Sequence, residues 1–107
     1  MKLWIDDIRQ PPESFIKSYD WVRSVNEAKS AIIFSEMYAS PTTHLYELID
    51  IDHDAGDFAW DGGDYIKLLD WLEETGRKYP IRIHSMNPVG VENMRRIIQR
   101  NGWTEVR

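Results

Sequence analysis

Three times along the chain an apolar run closes on a polar cluster. Lys2 to Ile8 reads KLWIDDI and delivers Asp6 and Asp7; Leu45 to Asp54 reads LYELIDIDHD; Lys78 to His84 reads KYPIRIH and leads into Ser85-Met86-Asn87. Near-continuous apolar and β-branched runs of this length predict strands of a parallel sheet that is covered on both faces. Leu48, Ile49 and Ile51, pointing to both faces, make the second of these runs the central strand. Tyr19 to Val25, YDWVRSV, predicts another strand. Between it and the first lies QPPESFIKS, a loop in which Pro11-Pro12 blocks immediate helix propagation and which is too short for a full crossover helix.

Helical segments alternate with these strands. Ser24-Val25-Asn26-Glu27 has the form of a capping box. It predicts a helix with Val25, Ala28, Ile32 and Met37 at roughly helical spacing, closed by the turn-rich Ser40-Pro41-Thr42-Thr43. The glycine-containing loop DFAWDGGD, Asp57 to Asp64, runs into a second helix carrying Tyr65, Leu68, Leu69 and Leu72 on one face and stopping at Gly76. Asn87 as N-cap and Pro88 at the first helical position open a third, which runs through Met94, Ile97 and Ile98 to Asn101-Gly102. WTEV, residues 103 to 106, predicts a short last strand. The order is that of an α/β domain with a mostly parallel five-stranded sheet, about three helices, and a first crossover helix that is missing or shortened.

At 107 residues and 42% hydrophobic, the chain has the size of a single domain, 1–107, and its five Trp, five Tyr and three Phe supply area for a core. Without cysteine it has no disulfides. With no long apolar stretch, neither a signal peptide nor a membrane span is expected, and a cytoplasmic location is the default. A net charge of -5 opposes broad binding to duplex DNA but leaves a small phosphorylated ligand, an RNA end or a partner protein open. Arg95, Arg96 and Arg100 read as a solvated helix face, His44 as a surface residue, and Trp60 and Trp71 as core or loop-packing residues.

With aligned parallel strands, the three polar clusters open onto the carboxyl edge of the sheet, where α/β folds place their sites. That edge would gather Asp6, Asp7, Asp52, Asp54, His53, His84, Ser85 and Asn87, a set richer in carboxylates and imidazoles than folding alone requires.

LWIDDIR, IDHDAG, the GGDY loop and IRIHSMNPVG, in this order, resemble the family of cyclic-phosphate processing receiver domains, over nearly the whole chain. The resemblance implies a flavodoxin-like, receiver-like fold, a metal-binding acid pair at Asp6 and Asp7, and a third acid at Asp52 or Asp54. It also implies a role in processing phosphoesters. The Lys-Pro that ends the last core strand of ordinary receivers is absent; His84-Ser85-Met86-Asn87-Pro88 follows the penultimate strand instead. Phosphoacceptor signalling at Asp52 or Asp54 is therefore less expected than hydrolysis.

Carboxylates packed this closely repel by about 4 kcal/mol per close pair at an effective dielectric near 20, which a divalent cation relieves. Asp6, Asp7 and Asp52 or Asp54 offer hard oxygen ligands suited to Mg²⁺ or Mn²⁺. Some of these acids could equally be loop caps or ion-pair partners of Arg9 and Arg82. His84, at a strand end, and His53, between two acids, are the candidate acid and base, with Ser85 beside His84. His53 is also readable as a packed core residue. The Asn87-Pro88-Val89-Gly90 helix entry, with Arg9, is the candidate phosphate cradle. Two mechanisms fit: metal-assisted attack by water, or metal-free acid-base action of the two histidines. A module that binds through the same acidic edge without turnover is the rival from another class.

Overall fold

A computed structural model describes residues 1–12, 18–39 and 45–107. Its elements are β1 (Lys2–Ile5), β2 (Tyr19–Val22), α1 (Val25–Met37), β3 (Leu48–Ile51), a 3₁₀ turn (Gly56–Phe58), α2 (Ile66–Glu74), β4 (Ile81–Ile83) and α3 (Pro88–Asn101). The strands form one parallel sheet in the order β2-β1-β3-β4. No helix among the described residues is long and apolar enough to cross a membrane.

The sheet has four strands, one fewer than the sequence predicts. WTEV makes a single bridge, Glu105 to Ile81, with the Ile81 N–H donating to the Thr104 carbonyl at 2.9 Å and the Val106 N–H to the Ile81 carbonyl at 2.8 Å. β4 is three residues long and gives a fifth strand too little edge to pair along. Glu105 is drawn instead into ion pairs with Arg95 and Arg107.

Alternation along the strands separates two unlike faces. Leu3, Ile5, Ile49, Ile51 and Ile81 belong to the main core with Val25, Ala28 and Ile32 of α1, Leu68, Leu69 and Leu72 of α2, and Met94, Ile97 and Ile98 of α3. All three helices thus cover one face, and each buried Leu or Ile contributes about 1.5–3 kcal/mol. The other face carries a row that crosses the sheet in register: Trp21, Trp4, Asp50, Arg82. Trp4 and Leu48 are buried yet lie outside the helix-covered core. The start of the β1–β2 connection folds back here, with the Trp4 indole N–H donating to the Arg9 carbonyl at 2.7 Å and Pro11 buried. Most of the rest of the β1–β2 connection, residues 13–17, lies outside the described residues.

The caps form largely as the sequence suggests. The Ser24 hydroxyl accepts the Glu27 N–H at 3.0 Å and donates to Asp61 at 2.6 Å, which ties the start of α1 to the loop before α2. Asn87 caps α3, and Gly102 ends it in the left-handed conformation, φ 66°. Met37 departs from expectation: it is 70% exposed. Five residues past Ile32 it has turned about 140° from the apolar stripe. The stripe's next place falls to Glu36, which pairs with Arg77. The predicted turn at residues 40–43, His44, and Glu13 to Lys17 of the loop lie outside the described residues.

Candidate functional site

The chain leaves β1 at Asp6, whose Oδ1 accepts the backbone N–H groups of Ile8 at 2.9 Å and Arg9 at 2.8 Å. This Asx-type turn pins the carboxylate at the sheet edge. Asp52 leaves the neighbouring strand in the same way: its N–H donates to the Ile5 carbonyl at 3.0 Å, and its Oδ1 accepts the His53 N–H at 2.7 Å. Asp7 completes the group, packed against Gly56, whose positive φ of 54° and missing Cβ leave room for the carboxylate. One oxygen from each of Asp6, Asp7 and Asp52 lies within 4.8 Å of the others. Asp6 is 1% exposed and Asp52 8%. Burial, followed by the charges of Asp6 and Asp52, pushes the Asp7 carboxyl above the usual range, against a backbone hydrogen bond that lowers it. Arg9 reaches over the group, its Nε 3.5 Å from Asp6 and its terminal nitrogen 3.6 Å from Asp52.

Of the two acids flanking His53, Asp52 joins the cluster. The Asp54 side chain is 61% exposed and meets the His53 ring at 2.8 Å instead. That ring packs over Gly90, where any added Cβ would strike it. Asn87 also turns toward His53 and Asp54, at 3.4 Å from each, and its Oδ1 takes the Gly90 N–H at 3.0 Å. The Ser85 hydroxyl accepts the Asn87 N–H at 3.2 Å. At the entry to α3, then, the polar atoms of Ser85, Asn87 and Gly90 are engaged with one another.

His84 faces different neighbours. Its Nδ1 lies 2.6 Å from Asp50 and its Nε2 3.0 Å from Asp6, and its ring stacks on Trp4 with centroids 3.9 Å apart. Since both nitrogens meet carboxylates, each contact is a hydrogen bond only where that nitrogen carries a hydrogen. The His84 side chain is 8% exposed, and those of Asp50 and Asp6 are 1% exposed. Asp50 also receives Arg82 at 3.2 Å and the Tyr19 hydroxyl at 3.4 Å. Burial, then the Asp50 charge, raises the Tyr19 hydroxyl in turn. No role for Asp50 emerges from its place inside an apolar run. The available signal was a carboxylate between Ile49 and Ile51 with Arg82 and His84 alternating two apart on a later strand.

The remaining candidates scatter. Trp60 is 81% exposed, whereas Trp71 packs on the core with Arg77 over its ring at 4.4 Å. Arg95, Arg96 and Arg100 pair with Glu105, Glu92 and Glu73. A hollow of about 480 Å³ between β2 and α1, lined by Val22, Ala31, Phe34 and Tyr38 among others, holds none of the predicted site residues.

Comparison with curated proteins and with solved structures gives no match. A family model described as the cyclic-phosphate processing receiver domain matches residues 1–100. That span takes in all four strands, α1, α2, all but the last residue of α3 and every residue of the acidic edge. With fold and sequence in agreement over it, the chain belongs to the cyclic-phosphate processing receiver domain family.

Proposed function

We propose that the domain hydrolyses a phosphoester, a cyclic phosphate such as a cyclic nucleotide or an RNA-terminal cyclic phosphate, with Mg²⁺ or Mn²⁺ held by Asp6, Asp7 and Asp52. The meeting of these three carboxylates carries the reading. The donor set fits such an ion: hard anionic oxygens, two of them nearly out of water, with Asp7 raised by burial and its acidic neighbours, a cost that a cation removes. Once bound, a divalent ion supplies positive charge to a phosphoryl oxygen and acidifies a bound water.

The protein's own groups arrange the rest. Arg82 holds Asp50, Asp50 holds His84, and His84 meets Asp6, so the Asp6 carboxylate proposed as a metal ligand is oriented before substrate arrives. Arg9, 53% exposed on its side chain, is free to turn from the acids to a phosphate when their charge is matched. His53 with the exposed Asp54 is the pair able to pass a proton, and Asn87, Ser85 and Gly90 keep that ring in place. A metal-free mechanism through both histidines is less well supported, because His84 is already engaged at both nitrogens and stacked on Trp4. The same enclosure favours, as a second reading, a module that binds its ligand at the acidic edge without turnover.

A panel of cyclic nucleotides with Mg²⁺, Mn²⁺ or EDTA, followed by released phosphomonoester, separates these readings. Metal-dependent release that Asp52→Asn abolishes is the expected result. Stabilisation by metal with no turnover selects the binding module, and turnover indifferent to EDTA overturns the metal site.

A further inference from the structure

Seven of the chain's eight arginines have a carboxylate within ion-pair distance; Arg23 has none among the described residues. Its exposed guanidinium instead lies over the Trp21 ring at 4.4 Å and beside Phe58 at 5.9 Å. An unpaired surface arginine is ordinary; the placement of this one is not. Arg23 is the first residue beyond β2, at the carboxyl edge that also carries Asp6 and Asp52, and the Val22 carbonyl just before it accepts the Asp6 N–H at 3.3 Å. The indole N–H of Trp21 donates to the Asp6 carbonyl at 2.8 Å. The ring that supports the guanidinium is thus tied to the acid pair. Phe58 closes the 3₁₀ turn that Gly56 opens against Asp7. The Tyr65 hydroxyl donates to the Arg23 carbonyl at 2.7 Å, and it is raised by burial and then by the charges of Asp7, Asp6 and Asp52. Contacts therefore run in a closed ring from Asp6 through Trp21, Arg23, Phe58 and Gly56 to Asp7.

Stacking occupies the flat face of a guanidinium and leaves its N–H edge free, an edge that matches two oxygens of a phosphate. Charge balance leaves work for such a group. Three carboxylates with Arg9 carry a net charge of about -2, which a divalent cation cancels, so an incoming phosphate meets no further countercharge from these groups.

We infer that Arg23 is a phosphate-binding residue of this site, gripping nonbridging oxygens of the substrate and, more tightly, the dianionic phosphomonoester product. This rests on the metal-dependent reading above. The test measures binding of phenyl phosphate, a phosphomonoester without a nucleobase, by calorimetry with saturating Mg²⁺. Wild type binds it; Arg23→Ala binds it at least tenfold more weakly; Arg23→Lys recovers part of the loss. Arg96→Ala, on the exposed face of α3, leaves it unchanged. The thermal shift induced by Mg²⁺ alone stays the same in all of them. Should Arg23→Ala lose the fold, Arg23→Gln, which keeps the stem and drops the charge, gives the same comparison. Undiminished binding in the Arg23 variants overturns the inference, as does a wild type that responds to Mg²⁺ but not to phenyl phosphate. A wild type with no response to Mg²⁺ instead defeats the metal site itself, and the inference with it.

Discussion

Asp7→Asn should stabilise the metal-free protein and abolish its response to divalent cations. Asp7 shares a space in which carboxylate oxygens lie within 4.8 Å of one another. At that separation two charges repel by about 3 kcal/mol for an effective dielectric near 20. Arg9 offsets roughly one of the two neighbouring charges, and water reaches half-buried Asp7, so a net cost of about 1–2 kcal/mol remains for ionising it. Asparagine keeps the shape and the acceptor while losing the charge. In EDTA the melting temperature should rise by about 4–16 °C, given about 4–8 °C per kcal/mol for a domain near this size. The pH dependence follows from the direction of the shift. Because the folded state raises Asp7, it holds more protons than the unfolded chain in the interval above the ordinary aspartate value of about 3.9. Wild type therefore loses this stability as pH rises through that interval, and the advantage of Asp7→Asn is absent below it and complete at neutral pH. With Mg²⁺ at about ten times its dissociation constant, wild type gains about 1.4 kcal/mol and the variant gains little. Thermal melts in EDTA and in Mg²⁺, with exposed Asp57→Asn as control, provide the measurement. A variant less stable than wild type in EDTA, or one that Mg²⁺ stabilises equally, refutes the reasoning.

Asp50→Asn removes the charge that holds the His84 ring and Arg82, and should destabilise the fold by about 1–3 kcal/mol. It should also weaken Mg²⁺ binding by about tenfold or more through Asp6, as read by titrating the thermal shift; an unaltered Mg²⁺ titration would restrict Asp50 to a structural role. Glu36 is a separate case: burial would raise it, but Arg77 and the Tyr79 hydroxyl outweigh burial and hold its carboxyl below the usual range. Its stabilisation is present above the unfolded value of about 4.3 and lost as pH falls through the lower folded value, so Glu36→Gln should cost about 1 kcal/mol at pH 7 and progressively less in acid. Urea melts across pH check this, and a cost that does not shrink in acid excludes charge as its source.

Strand ends and caps were legible because their causes are local. An apolar run closing on Asp6-Asp7, a hydroxyl three residues before Glu27, and Asn87 before Pro88 each act within one turn of chain. The choice between Asp52 and Asp54 was not local. Period-two alternation holds only while the strand lasts, and β3 ends at Ile51, so His53 and Asp54 follow the turn that the Asp52 side chain starts with its bond to the His53 N–H. Asp50 was hidden for a different reason. Its partners, Arg82 on β4 and His84 just past its end, lie more than thirty residues away, and the Asp50↔Arg82 register exists only in the assembled sheet. Arg23 could have been noticed, since Trp21 and Arg23 two apart at a strand end project to one side.

The two faces of the sheet bear on what the buried row at Asp50 is for. A carboxylate at the middle of a strand costs several kcal/mol to bury unless donors surround it, and here His84, Arg82 and Tyr19 do so. That arrangement needs a face without a helix layer, and α1, α2 and α3, the α-helices among the described residues, lie on the other one. Stability alone does not account for the row, because well-packed apolar side chains in place of a buried ion pair are commonly neutral or stabilising. What an apolar row could not supply is an imidazole set between Asp50 and Asp6, its Nδ1 2.6 Å from one and its Nε2 3.0 Å from the other. Asp6 takes two backbone N–H groups on one oxygen and His84 on the other, so its carboxylate is held on both sides and presents one defined direction to the group it shares with Asp7 and Asp52. Under the proposed phosphoester hydrolysis, in which catalysis is mostly positioning and charge, a carboxylate held in this way accounts for burying Asp50 and His84 better than a proton shuttle whose two nitrogens both meet carboxylates.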